Sequence, residues 1–187
     1  MTPSQPRERL LAAAVEQARQ GGIVDLSLRE LAAAIGTSHR MLLYHFGSRE
    51  GLLVAIARAV EEDERATLLD WGVAPEDARR FWARISDPAM WPAERLFFEL
   101  YVQALFGRLG DDKFLDSAVE GWIEPIAAAM VQAGNDEPTA HADARLGLAV
   151  VRGLLLDLLA TGDRDGVTEA YERFLRRYEA SSRPSES

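Results

Sequence analysis

Apolar residues recur every three or four positions through most of the chain, which is the period of an amphipathic helix. Alternating runs of Val, Ile or Thr and Asn-Gly turns, which indicate strands and hairpins, are missing from the sequence. The pattern therefore predicts an all-α protein of about nine helices. Capping residues, glycines and prolines predict where each helix begins and ends. The predicted helices are residues 6–21, 27–36, 38–45, 49–69, 75–85, 92–107, 112–133, 139–161 and 165–180.

Two of these helices are short and are separated by a tight glycine turn. Ser27 and Glu30 have the spacing of a capping box at the start of the first helix, and Gly36 ends that helix. Ala32 is small where the two helices must approach each other, and Ser38 begins the second helix. This arrangement is typical of a helix-turn-helix, whose second helix enters the major groove of DNA.

A recognisable residue pattern extends well beyond this helix pair. The relevant residues are Arg9-Leu10-Leu11-Ala12-Ala13-Ala14, Ser27-Leu28-Arg29-Glu30-Leu31-Ala32, Ile35-Gly36-Thr37-Ser38 and Tyr44-His45-Phe46-Gly47-Ser48-Arg49-Glu50-Gly51-Leu52-Leu53. In these positions the chain resembles the TetR family of bacterial transcriptional regulators. The resemblance implies an N-terminal three-helix DNA-binding domain and a larger helical domain that binds a ligand and dimerises. Most members of the family repress transcription until a small molecule binds.

The resemblance also implies a division of the chain into domains. We expect residues 1–47 to form the helix-turn-helix domain and residues 48–180 to form the effector-binding and dimerisation domain. The polar segment 181–187 is expected to be a disordered tail. The long helix at 49–69 connects the two predicted domains.

Several side chains of the helix-turn-helix are candidates for contact with DNA. Arg40 is suited to direct readout, because a guanidinium pairs with both acceptors of guanine. Thr37 and Ser38 are suited to phosphate contact at the start of a helix. Arg49 matches the phosphate-binding lysine of the family, whereas Ser27 is either a phosphate ligand or only a helix cap. The predicted DNA-contacting residues are Ser27, Thr37, Ser38, His39, Arg40, Tyr44, His45 and Arg49.

One position departs from the family pattern. Leu43 occupies the slot where the family usually has a phosphate-contacting tyrosine, and the tyrosine of this chain stands one place later, at Tyr44. Leu43 either packs into the core or touches a thymine methyl group. For His45, contact with DNA and a plain surface position are both open.

The net charge of −9 is distributed unevenly along the chain. Residues 1–60 contain seven arginines and five acidic residues, a net charge of +2, whereas residues 61–187 carry −11. A mildly basic N-terminal segment followed by an acidic remainder of the chain agrees with DNA binding by the N-terminal part.

Other function classes find little support in the composition. The chain has no cysteine, so disulfides, thiolate metal sites and cysteine nucleophiles are excluded. Its three histidines lack a carboxylate that would complete a metal site, and we see no nucleophile–base pair or phosphate loop. We therefore expect no metal, no cofactor and no enzymatic activity. Because no apolar run is long enough to span a membrane and the N-terminus lacks a signal-peptide pattern, we expect a cytoplasmic protein without a membrane partner.

The C-terminal part contains candidates for a ligand pocket and a dimer interface. Aromatic residues with a few polar neighbours commonly line ligand pockets, although ordinary core packing is the alternative for each of them. The predicted pocket residues are Trp82, Phe98, Glu99, Tyr101, Gln103 and Trp122. An acidic residue among aromatics would favour a cationic, lipophilic ligand.

The helix at 139–161 is apolar on nearly every side, which indicates burial on two sides. The predicted homodimer interface contains Leu146, Val150, Leu154, Leu158, Tyr171, Phe174 and Tyr178; the alternative is an intramolecular core.

Together these features predict a ligand-responsive transcriptional regulator that binds a palindromic operator in double-stranded DNA. We expect it to act as a dimeric repressor that an apolar or amphipathic effector releases. The alternative is an interaction protein that keeps the fold but binds no DNA, and Leu43 and the small positive surplus favour it.

Overall fold

The computed structural model describes residues 4–181 except 22, 24 and 112. In this part of the chain there are nine α-helices and no strand, which confirms the predicted all-α class. Each helix begins and ends within two residues of its predicted bounds. The helices are α1 Ser4–Gln20, α2 Leu28–Ala34, α3 His39–Phe46, α4 Arg49–Trp71, α5 Pro75–Ile85, α6 Trp91–Leu105, α7 Phe114–Gln132, α8 Glu137–Thr161 and α9 Arg164–Ser181.

Local capping explains why the predicted bounds agree so well with the structure. Asp136 precedes α8, and its side chain accepts a hydrogen bond from the Thr139 amide at 3.1 Å. At the other end of α8, Gly162 adopts a φ of +72° and its amide donates to the Leu158 carbonyl at 2.8 Å. A left-handed residue of this kind satisfies a carbonyl that the helix itself leaves free, and glycine adopts it without a steric cost.

The described residues form two compact units. Unit 1 contains the residues up to 64 and residues 88–119, and unit 2 contains residues 65–87 and those from 120 onwards. Helices α4 and α7 therefore contribute residues to both units. The domain boundary at residue 47 was placed from sequence and stays a prediction. Of the predicted disordered tail, residues 182–187 lie outside the described part of the chain, and residue 181 is the last residue of α9.

Unit 1 has a core of aliphatic and aromatic side chains from all of its helices. Helix α1 packs against α6, and α2 packs against α3. Phe97 of α6 lies against Phe114, with 6.1 Å between ring centroids. The largest fully buried side chains in this unit are Ile23, Leu31, Leu42, Leu52, Ile56, Leu96, Leu100 and Phe114.

Unit 2 is built on the packing of α9 against α5 and α8. Trp82 stacks on Tyr171 with 4.7 Å between ring centroids, and its indole N–H donates to the Thr168 hydroxyl at 3.0 Å. Arg79 of α5 bridges two carboxylates of α9, Glu172 at 3.0 Å and Glu179 at 2.9 Å. These contacts hold α5 firmly to α9.

Candidate nucleic-acid interface and effector cavity

The turn between α2 and α3 has the geometry that a helix-turn-helix requires. Gly36 adopts a φ of +69°, and the Thr37 amide donates to the Ala32 carbonyl at 2.8 Å. The Ser38 hydroxyl then accepts a hydrogen bond from the Met41 amide at 3.2 Å and so caps the start of α3. Ala32 is buried at this crossing, as its small size predicts. The turn therefore sets the angle between the two helices.

Burial of Leu42 fixes which face of α3 points outwards. Leu42 has no exposed surface, whereas Tyr44 is 79% exposed. Arg40 is also exposed, and it lies one turn before Tyr44 on the same side of the helix. Leu43 is 39% exposed and therefore does not pack into the core, which was one of the two alternatives for this residue. The outer face of α3 thus combines a cation, a phenol and an aliphatic side chain.

His39 and His45, at opposite ends of α3, are both half-buried. The ring of His45 meets the edge of the Tyr44 ring, with 4.9 Å between centroids. Its Nε2 atom is buried, and no described residue hydrogen-bonds to it. In this conformation the Nε2 atom of His45 therefore does not face solvent where DNA would bind.

Ser27 acts as a helix cap, and this function is compatible with contact to a phosphate. Its hydroxyl oxygen accepts from the Glu30 amide at 3.3 Å, and its own amide donates to the Glu30 carboxylate at 2.8 Å. Hydrogen bonds to the Glu30 carboxylate from the Ser27 side chain, and next from the Ser27 amide, hold the pKa of Glu30 below its ordinary value. The Ser27 side chain is exposed, so a phosphate can reach its hydroxyl.

Arg49 connects the start of α4 to the segment before α2. Its Nε–H donates to the Leu26 carbonyl at 2.8 Å, one residue from Ser27. Thr37 is half-buried and Ser38 is exposed at the start of α3. The α2 cap, the turn and the first residue of α4 thus position Ser27, Ser38 and Arg49 within unit 1.

Unit 2 contains an apolar cavity of about 130 Å³. Residues of α5, α7, α8 and α9 form most of its walls, and they include Phe81, Trp122, Val151 and Phe174. Of the six side chains predicted for a ligand pocket, Trp122 lines this cavity. Trp82 is buried nearby in the same unit, in the stack with Tyr171 described above.

The other four predicted pocket residues belong to α6 in unit 1. Phe98 is buried against Phe97, with 5.3 Å between ring centroids, and Tyr101 is half-buried. Glu99 is exposed and accepts a hydrogen bond from the Gln103 amide group at 3.2 Å. A ligand site that contains these α6 residues stays a prediction.

Asp143, the one acidic side chain among the described residues that line the cavity, was not predicted from the sequence. It lies one turn before Gly147 on α8, and both residues line the cavity. A carboxylate at this spacing from a glycine, within a helix that is apolar on most sides, was the available signal.

The residues predicted for the dimer interface differ in exposure. Leu146 is 50% exposed, and Val150, Leu154, Phe174 and Tyr178 are half-buried. Leu158 and Tyr171 are buried inside unit 2, so a partner would not meet them on the surface of this structure. An exposed stripe of apolar and small residues, which we call the α8 stripe, runs along the helix. It comprises Ala142, Leu146, Ala149, Gly153, Leu156 and Ala160.

These features define a helix-turn-helix protein with a second helical unit that contains a small apolar cavity. The family model of bacterial regulatory proteins of the tetR family matches residues 10–56. This match confirms the resemblance to the TetR family that the sequence shows over its N-terminal part.

Two kinds of relatives are similar to this chain. The HTH-type transcriptional regulatory protein RaaS of Mycobacterium tuberculosis is 29% identical over 146 residues, which are 72% of this chain and 63% of RaaS. The chain thus spans less than two thirds of the length of this relative. The multidrug binding protein EbrR, solved in complex with imidazole, is 27% identical with a TM-score of 0.60, covering 92% of this chain and 90% of EbrR. A TetR transcriptional regulator from Legionella pneumophila shares the fold at 22% identity, with a TM-score of 0.68 and 95% and 99% of the two chains covered.

The part of the chain that the structure describes offers no group of three or more metal-ligating side chains. None of its helices has both the length and the hydropathy that a membrane span requires.

Proposed function

We propose that this protein is a transcriptional regulator that binds a palindromic operator as a homodimer. The observation that carries the proposal is the orientation of α3, because burial of Leu42 turns Arg40, Leu43 and Tyr44 outwards together. A recognition helix needs such a face, on which a few side chains reach base edges. The match of residues 10–56 to the tetR family model supports the same function.

The α8 stripe supports the homodimer. Its positions are spaced alternately by four and three residues, which is the spacing of a seam between two packed helices. Its glycine and alanines allow a close approach, and Leu146 and Leu156 supply exposed apolar surface. A homodimer contains two α3 helices, one for each half-site of a palindrome.

The cavity of unit 2 supports control by a small molecule. A ligand that binds more tightly to a conformation unable to bind DNA shifts the population towards that conformation. In the proposed function the protein is a repressor that such a ligand releases from its operator. The name of EbrR as a multidrug binding protein supports a small-molecule site in this chain.

Selection of duplex DNA from a random pool tests the DNA-binding function. We expect the purified full chain to enrich a palindrome, and the Arg40→Ala variant to enrich a more degenerate one. Arg176→Ala is the matched control, because Arg176 is exposed on α9 in unit 2 and its loss removes the same charge.

A second candidate function is an interaction protein of the same fold that binds no DNA. Met41 and Leu43 favour it, since both apolar side chains are more than a third exposed on α3. Failure of folded, dimeric protein to enrich any sequence would favour this function over operator binding.

A further inference from the structure

The cavity of unit 2 is partly open, and the space within its walls is small. Its volume of about 130 Å³ is close to that of an engineered cavity of about 150 Å³ that binds benzene in another protein. Ligand pockets for larger molecules usually exceed about 300 Å³. Phe81, Trp122 and Phe174 supply flat apolar walls, and Ile126 adds an aliphatic side chain. The space therefore suits one aromatic ring or a short branched alkyl group.

Gly147 helps to keep this space open. It lies inside α8 and lines the cavity, and a Cβ atom added to it would meet no described atom within 4 Å. Glycine inside a helix is less favourable than alanine, because it loses more backbone entropy on folding. No close neighbour requires a glycine here, whereas a larger side chain would occupy part of the cavity.

The charge of the cavity wall indicates the charge of the ligand that it would bind. Asp143 is the one acidic or basic side chain among the described residues that line the cavity. It is half-buried, and no described residue forms a hydrogen bond or ion pair with it. The guanidinium of Arg65 lies 6.0 Å from the centre of the Trp122 ring, but Arg65 is not part of the cavity wall. The hydroxyl of Tyr171 donates its hydrogen bond to the Ala78 carbonyl at 3.3 Å.

We propose that this cavity binds small primary ammonium compounds that carry a single aromatic ring or a compact alkyl group. The apolar part fills the space opened by Gly147, and the ammonium group pairs with the Asp143 carboxylate. Aromatic rings in the wall add favourable contact with a cation. The role of these amines as effectors rests on the proposed function of a ligand-controlled regulator. Binding of the amine itself is measured without DNA.

Calorimetric titration of the full chain with three probes of equal ring size tests the charge preference. The probes are benzylamine, which is cationic at neutral pH, benzyl alcohol, which is neutral, and benzoate, which is anionic. We expect benzylamine to bind about fivefold more tightly than benzyl alcohol, as for a partly exposed ion pair, and benzoate to bind most weakly.

Asp143→Asn removes the charge and preserves the size of the side chain. We expect this variant to bind benzylamine and benzyl alcohol with equal affinity. The matched control is Asp157→Asn, since Asp157 is exposed on the same helix and does not line the cavity. This control is expected to keep the full preference for benzylamine.

Gly147→Leu tests the location, since its side chain fills the cavity and is expected to abolish binding of both probes. Ala83→Leu is the control, because Ala83 is exposed on α5 outside the cavity wall. If circular dichroism shows that Gly147→Leu does not fold, Gly147→Ala is used instead. We then expect Gly147→Ala to lower the affinity for branched amines more than the affinity for planar amines.

Two results would overturn the inference: equal affinity of the native chain for benzylamine and benzyl alcohol, or no saturable binding of any of the three probes. Either result in a protein that still selects a palindrome leaves the proposed function standing. Conversely, Asp143-dependent amine binding by a protein that selects no DNA supports the cavity assignment and removes the operator function.

Discussion

At the scale of single residues, Arg40 and Arg49 are expected to contribute to DNA binding in different ways. Arg40 is exposed on the outer face of α3, where a guanidinium can reach the edge of a guanine. We expect Arg40→Ala to cost about 1–3 kcal/mol on the selected site and to relax base preference at one position in each half-site. Repeating the selection with the variant checks this, and an unchanged motif would show that Arg40 does not read a base.

Arg49 is expected to contribute equally to all DNA sequences. Its Nε–H is held by the Leu26 carbonyl, which places the guanidinium beside the cap of α2. If the guanidinium also meets a phosphate, Arg49→Ala weakens binding to specific and random duplexes alike and lowers the salt slope by about one for each phosphate that Arg49 neutralises. Titrations at several salt concentrations measure both effects. Arg49→Lys keeps the charge, so its salt slope should stay that of the native chain; a sequence-selective loss in Arg49→Ala would contradict the phosphate role.

The capping box of α2 provides a prediction about pH. Hydrogen bonds from Ser27 lower the pKa of Glu30 in the folded chain. A lowered folded pKa stabilises the fold above the ordinary pKa of the carboxyl group, and this contribution is lost as the pH falls through the folded value. In the native chain we therefore expect the free energy of unfolding to fall over this acidic window by more than in Glu30→Gln, which does not titrate. Urea unfolding at a series of pH values compares the two, and parallel curves would show that the capping box is not linked to pH.

At the scale of helices, the α8 stripe predicts where a dimer would be disrupted. A charge placed inside a packed seam is buried without a partner. We expect Leu146→Asp to raise the dimer dissociation constant at least about 30-fold, which corresponds to about 2 kcal/mol. Val131→Asp is the control, since Val131 is an exposed apolar residue of α7 that lies outside the stripe. Sedimentation equilibrium measures both, and an equal effect of the two substitutions would place the interface elsewhere.

Features that depend on residues close together in the sequence could be predicted, whereas features that depend on distant residues could not. The capping box of Ser27 and the glycine at 36 act over three or four residues, so the sequence predicted the helix bounds closely. Burial of Tyr171 depends on its stack with Trp82, which lies 89 positions earlier in the sequence and on another helix. The periodicity of α9 shows that Tyr171 belongs to an apolar face, but not whether that face meets its own unit or a partner. The same limit applies to Asp143, whose place in the cavity wall depends on four helices.

At the scale of the whole molecule, ligand and operator should oppose each other by an equal factor. Binding free energies at two sites of one protein are linked, so a ligand that weakens the operator is itself weakened by the operator to the same extent. We expect saturating benzylamine to raise the dissociation constant of the operator, and saturating operator to raise that of benzylamine by the same ratio. Fluorescence anisotropy of labelled operator and calorimetric titration of the operator complex measure the two ratios.

Asp143→Asn decides whether this coupling passes through the cavity. The substitution lies on α8 in unit 2, whereas the predicted DNA-contacting residues all lie in unit 1. We therefore expect the variant to bind operator with native affinity in the absence of amine and to lose most of its response to benzylamine. The Asp157→Asn control should respond as the native chain does. If benzylamine releases operator from Asp143→Asn as effectively as from the native protein, the amine acts at another site; if it binds without changing operator affinity, the cavity is not the switch that controls DNA binding.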